Sequence, residues 1–98
     1  MRVVVVIPTY NEKENTLRMI DTLSSEFAKI KNHEMVLLYV DANSPDGTAE
    51  VVREKMKEYS WLHLLVEEKK EGLGRAYAKG FTYAMDKLKA DYVMEFDA

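Results

Sequence analysis

Four short segments hold the residues whose types and spacing suit them to chemistry. Asp41-Ala42-Asn43-Ser44-Pro45-Asp46-Gly47-Thr48 joins an acid to a dense run of turn formers. Pro45 to Thr48 suit a strand-to-helix turn, with Thr48 placed to cap the following helix. Asp41 needs another account. A carboxylate at the end of a central strand is costly to desolvate unless it meets a partner, and the base or ribose hydroxyls of a nucleotide would supply one. Pro8-Thr9-Tyr10-Asn11-Glu12 contains no glycine. Pro8 fixes φ and removes a donor, Tyr10 offers a flat face to a base, and Glu12 accepts hydrogen bonds. Asn11 suits a helix cap and Glu14 a first helical turn.

The third segment, Glu71-Gly72-Leu73-Gly74-Arg75-Ala76-Tyr77, invites comparison with the dinucleotide fingerprint. The comparison fails, because Tyr77 stands where a small residue is needed for close packing and because the fingerprint belongs after a first strand, not a third. Lys69, Lys70 and Arg75 beside it form either a solvated face or an attraction for phosphate. The fourth is Asp97, in Glu95-Phe96-Asp97-Ala98. A strand-end carboxylate together with substrate phosphates is the usual way to hold Mg2+ or Mn2+. His33 and His63 have no metal-ligand spacing and read as structural.

The elements that must position these segments follow from periodicity. Val3–Ile7 and Met35–Val40 are apolar at every position, the pattern of strands covered on both faces in a parallel sheet. Leu62–Val66 and Tyr92–Phe96 complete four predicted strands. Between them Leu17, Ile20, Leu23 and Phe27 share one helical face, as do Val52, Met56 and Tyr59, and then Tyr77, Phe81, Ala84, Met85 and Leu88. The order β-α-β-α-β-α-β predicts an open α/β sheet, mainly parallel and Rossmann-like. Ligands in such sheets sit beyond the carboxyl ends of the strands, where all four segments fall. The chain stops at Ala98, directly after a strand expected to be buried, so the reading is one partial domain over residues 1–98, the front of a longer protein.

Composition removes several classes. With 47% hydrophobic residues in 98, the chain has enough apolar material for one core and is no disordered tail. Its 14 Lys and Arg against 17 Asp and Glu give a net charge of −3 with no basic block, so nucleic acid is not an expected partner. Zero cysteines exclude disulfides, thiol catalysis and Cys-based metal sites. The longest apolar run, Val3–Ile7, is far short of the roughly 20 residues that span a bilayer.

Four runs together resemble family-2 inverting glycosyltransferases, and within them the polyprenol-phosphate (dolichol-phosphate) mannosyltransferases. They are Val-Ile-Pro-Thr-Tyr-Asn-Glu-Lys-Glu-Asn at 6–15, Val-Asp-Ala-Asn-Ser-Pro-Asp-Gly-Thr-Ala-Glu-Val at 40–51, Gly-Leu-Gly-Arg-Ala-Tyr at 72–77 and Phe-Asp-Ala at 96–98. The resemblance implies a GT-A fold that binds GDP-mannose with Mg2+ or Mn2+ and transfers mannose with inversion to a dolichyl or other polyprenyl phosphate. It implies that Pro8, Tyr10, Glu12 and Val40 line the nucleotide beside Asp41, and that Asp97 and Ala98 begin an Asp-x-Asp motif in which Asp97 holds the metal. The catalytic groups are expected beyond Ala98, so the chain reads as the donor-binding part, inactive alone. It also implies a place in the cytoplasm or on the cytoplasmic face of a membrane. A cut sheet would expose apolar surface, which makes self-association an expectation.

Two departures stand out. The family usually has two successive acids after the second strand, and Ala42 stands in the place of the second. The second Asp of the metal motif would be residue 99, one past the last residue. Competing readings are a nicotinamide-dependent oxidoreductase, disfavoured by the glycine-free first turn, and a non-catalytic α/β nucleotide-binding module.

Overall fold

The computed structural model describes residues 1–96. The elements are β1 (Arg2–Thr9), α1 (Lys13–Lys29), β2 (Glu34–Asp41), α2 (Thr48–Met56), β3 (Leu62–Val66), α3 (Leu73–Asp86) and β4 (Tyr92–Glu95). All pairings are parallel, in the order β3-β2-β1-β4. The α/β alternation expected from the sequence is therefore the fold. Direction reverses after β3, because α3 carries the chain back across the sheet to the far side of β1.

Strand periodicity sorts the core into two layers. Val4, Val6, Val36, Leu38 and Val40 face α3, packing with Ala76, Ala84 and Leu88. Val5, Ile7, Leu37 and Tyr39 face the other way, with Ile20 of α1 and Val52 of α2. This two-sided burial is why both central strands read as unbroken apolar runs. Gly80 lets α3 approach the sheet: a methyl there would lie 2.5 Å from Val6 Cγ1 and 3.1 Å from Val40 Cγ2.

Several expectations need correction. β4 ends at Glu95 and is not a buried strand: Tyr92 and Met94 are exposed, and only Val93 packs into the α3 layer. Among the described residues it is the outermost strand of the sheet, paired on one side only, with β1. Leu17 is 40% exposed, and Thr16 is buried in its place. α2 stops at Met56; Tyr59 lies past it and stacks on Trp61 at 4.8 Å, while Leu88 packs from beyond the end of α3. No helix among the described residues is long and apolar enough to cross a membrane.

Pro8 shows how the topology shapes the strand ends. The carbonyl of Val6 accepts from the Phe96 amide on the β4 side. Two residues on, Pro8 turns its donor-less nitrogen to that same side, beyond the last described pair of the ladder, Val6 with Glu95.

Candidate functional site

The carboxyl ends of β1 and β2 lie side by side, with Thr9 in register with Asp41. Asp41 is fully buried. Its Oδ1 accepts from the Thr9 hydroxyl and the Ser44 hydroxyl, both at 2.7 Å, and its Oδ2 accepts from the Ser44 amide at 2.8 Å. Three donors offset the cost of burying the charge. Expected from the sequence to meet a nucleotide, Asp41 instead turns its carboxylate inward and joins two loops.

The next residues extend that junction. The Asn11 amide donates to Ser44 Oγ at 2.9 Å, the Glu12 amide to Thr48 Oγ1 at 3.2 Å and the Lys13 amide to Asp46 Oδ2 at 3.2 Å. Three successive donors at the entrance to α1, which helix geometry leaves without partners, are satisfied by the neighbouring loop. Asn11, expected as a cap, sits at φ +54° ahead of Glu12, and neither caps α1 through its side chain. Thr48 is likewise the first residue of α2 and not its cap; Gly47 precedes it at φ +90°. The Thr48 hydroxyl, then the Lys13 and Thr48 amides, hold the Asp46 carboxyl below its ordinary pKa. The expected turn role of Asp46 and Thr48 is thereby widened to tethering a second loop.

Beside this junction opens a cleft of about 300 Å³. Pro8, Tyr10, Glu12 and Val40 all line it, together with Ala42, Lys70 and the first turn of α3 at Leu73 and Ala76. Tyr10 is 38% exposed, and Lys70 Nζ lies 4.5 Å from its ring centroid. The cleft thus has apolar walls, a flat aromatic face and a few polar groups, the make-up of a small-ligand site. Asp97 and Ala98 lie outside the described residues. Among the described residues no three His, Asp or Glu side chains are grouped to hold a metal ion, so these residues do not form a metal site by themselves.

The opposite wall holds an ion-pair chain that no sequence pattern announced. Glu67 is buried, with its Oε2 3.1 Å from Lys79 Nζ, and Lys79 also reaches Glu71 Oε1 at 2.5 Å. The Glu71 bond, then Glu67, raises the Lys79 pKa, and Lys79 lowers that of Glu71. The available signal was an acid directly after an apolar strand; its partner twelve residues on has no local pattern. A larger groove, about 760 Å³, runs past Glu67, Lys79 and Thr82 but includes none of the described residues selected from the sequence as lining the nucleotide. Burial, then the Arg2 charge, pushes the His63 imidazole below its ordinary value, and neither histidine lines the cleft.

A parallel sheet in this strand order, with a cleft beyond its carboxyl ends, defines an open α/β protein of the Rossmann-like kind. Residues 4–98 match the family described as Glycosyl transferase family 2, and the chain belongs to that family. It is 35% identical along its whole length to an undecaprenyl-phosphate mannosyltransferase of Micrococcus luteus, of which it spans 38%. Over 86% of its length it is 33% identical to a polyprenol monophosphomannose synthase of Mycolicibacterium smegmatis, spanning 30% of that protein. Among solved structures, a mannosyltransferase of Pyrobaculum calidifontis in complex with GDP-Man and Mn2+ superposes with a TM-score of 0.74 at 28% identity, covering 85% of this chain and 24% of that one. The chain therefore spans about a third of the curated relatives it matches, and its fold is that of the GT-A glycosyltransferase neighbour. Membership of this family replaces the nicotinamide-oxidoreductase reading.

Proposed function

We propose that this chain is the donor-nucleotide part of a mannosyltransferase that moves mannose from GDP-mannose to a polyprenyl or dolichyl phosphate with inversion. The observation that carries the reading is convergence: Pro8, Tyr10, Glu12 and Val40, chosen from the sequence, meet on one cleft beyond the β1 and β2 ends. In this proposal Tyr10 lies against the base, Glu12 accepts from base or ribose, and Pro8 and Val40 give the apolar floor. Asp41 acts behind them, fixing the loops that carry Pro8 and Tyr10.

A divalent cation, Mg2+ or Mn2+, belongs to the proposal through Asp97; bound, it would neutralise the diphosphate. The acceptor phosphate is already an anionic nucleophile, so its oxygen forms the new bond to the sugar carbon as the bond to the diphosphate breaks, and positioning counts for more than a strong base. Transfer is proposed for a protein of the relatives' length, acting in the cytoplasm or at the cytoplasmic face of a membrane. For the present chain the proposal is binding without turnover. Exposed Tyr92 and Met94 of β4 and Phe96 just after it support self-association, which light scattering would detect.

Titration calorimetry tests the reading with GDP, UDP and NAD, each with Mn2+ and with chelator. GDP binding that falls on chelation and after Asp97→Ala, with an unchanged melt, is the expected result. NAD binding as tightly as GDP, or GDP binding indifferent to both changes, would overturn it.

A further inference from the structure

Lys70 occupies a place that the proposed nucleotide reading leaves unused. It lies on the loop between β3 and α3, which is tethered on both sides. The Glu67 amide donates to the Asp41 carbonyl at 2.8 Å, Asn43 Nδ2 donates to the Glu68 carbonyl at 3.3 Å, and Lys79 holds both Glu67 and Glu71. Gly72, at φ +95°, then turns the chain into α3. Between these tethers Lys70 is exposed, with its ammonium over the Tyr10 ring. Among the described residues lining the cleft Lys70 is the one cation, and the acids there are Glu12 and Glu67. Lys79 already answers the charge of Glu67.

The ammonium therefore covers the aromatic face on which a base would stack. An exposed cation–π contact is weak, and base–aromatic stacking exceeds it, so a base can displace it. The displaced ammonium cannot travel far, because the loop is fixed at Glu68 and Glu71. A neutral nucleoside gives it no new partner. A nucleoside diphosphate brings anionic oxygens into the same cleft, and a charge-assisted hydrogen bond to them is stronger than the cation–π attraction it replaces.

Resting on the nucleotide reading above, we propose that Lys70 is a specificity-determining residue: it covers Tyr10 in the empty cleft and transfers to the phosphate groups of the ligand, so that the cleft selects nucleoside diphosphates over nucleosides. The residue acts twice, against the neutral ligand and in favour of the anionic one. Arginine at this position would preserve both actions, and glutamine would abolish both.

Calorimetric titration of guanosine and of GDP, at constant Mn2+, into the wild-type chain, Lys70→Gln and Lys70→Arg tests this. Lys70→Gln is expected to weaken GDP about tenfold while guanosine binds about two- to fivefold tighter. Lys70→Arg is expected to keep the wild-type preference. Because Lys70 is exposed, all three chains should melt together. Wild-type GDP binding left unchanged by Lys70→Gln would overturn the inference and leave the nucleotide reading standing. Equal weakening of both ligands would also overturn it, as the mark of a wall residue. A wild-type chain that binds neither ligand would remove both.

Discussion

Gly80→Ala sets helix propensity against close packing within one substitution. The new methyl would stand 2.5 Å from Val6 Cγ1 and 3.1 Å from Val40 Cγ2. Both valines are fully buried, and a β-branched side chain has little rotamer freedom with which to retreat. Relief must come from α3 moving off the sheet, and overpacking of this kind costs about 1–3 kcal/mol. Alanine returns about 0.8–1 kcal/mol of helix propensity. Gly74→Ala supplies the control, since a methyl there meets nothing within 4 Å and the residue lies on the same helix. Subtracting one variant from the other largely cancels propensity and leaves the packing cost, about 1–3 kcal/mol. In a domain of this size each kcal/mol moves Tm by about 4–8 °C, so thermal melts resolve the pair. Gly74→Ala should melt at or above the wild type and Gly80→Ala clearly below Gly74→Ala. Equal melting, or Gly80→Ala the higher, would refute the close approach of α3 to β1 and β2.

Three more outcomes are expected. His63 has its pKa lowered by burial and by Arg2, so the unfolded chain binds the proton more readily; stability is full above the ordinary imidazole value and is lost as pH falls through the lowered one. Melts between pH 7.5 and 5.5 should slope downward for the wild type and flatten for His63→Gln, and identical slopes would contradict the burial. The Tyr39 hydroxyl is buried without a hydrogen-bond partner among the described residues, and burial pushes its pKa up, so Tyr39→Phe should stabilise by about 1 kcal/mol in chemical denaturation; a loss of stability would reveal a hidden partner. Ala42 lines the cleft, so Ala42→Asp should add an acceptor for a base N–H and tighten GDP relative to UDP by about 1–3 kcal/mol, and an equal change for both would place the base elsewhere.

The fold was legible because two central strands buried on both faces leave an unmistakable apolar run, and because helices of this length show their stripe. What escaped the sequence depends on strand order and on distant partners. Tyr92 and Met94 are as apolar as core residues, yet β4 is the outermost strand among the described residues, and only the topology decides that. Pro8, Tyr10 and Glu12 were legible as unusual side chains at or just past a strand end, Val40 only through the family resemblance, and the cleft unites all four. The role of Asp41 was not, because its partner Thr9 is 32 residues away. Turn chemistry explained Asp46 and Thr48 locally and so concealed their hold on Lys13 and Glu12. The Glu67–Lys79 pair was hidden for the same reason, each member being ordinary in its own neighbourhood.

The bonds from residues 44, 46 and 48 to the amides of 11, 12 and 13 bear on how any mutational scan of this protein is to be interpreted. None of the three side chains lines the cleft, yet all of them hold the stretch that carries Tyr10 and Glu12. Replacing Ser44 by alanine would take the acceptor from the Asn11 amide, leave Asp41 Oδ1 with Thr9 as its one donor, and let that stretch drift. An assay that records only ligand affinity would then count Ser44 among the contacts. Loss of affinity accompanied by a lowered melt marks the frame, whereas loss at constant melt marks the ligand's own neighbours. By these bonds the Asn-Ser-Pro-Asp-Gly-Thr run belongs to the frame, and its appearance in another sequence would report a pair of loops locked in this way before it reported any particular nucleotide.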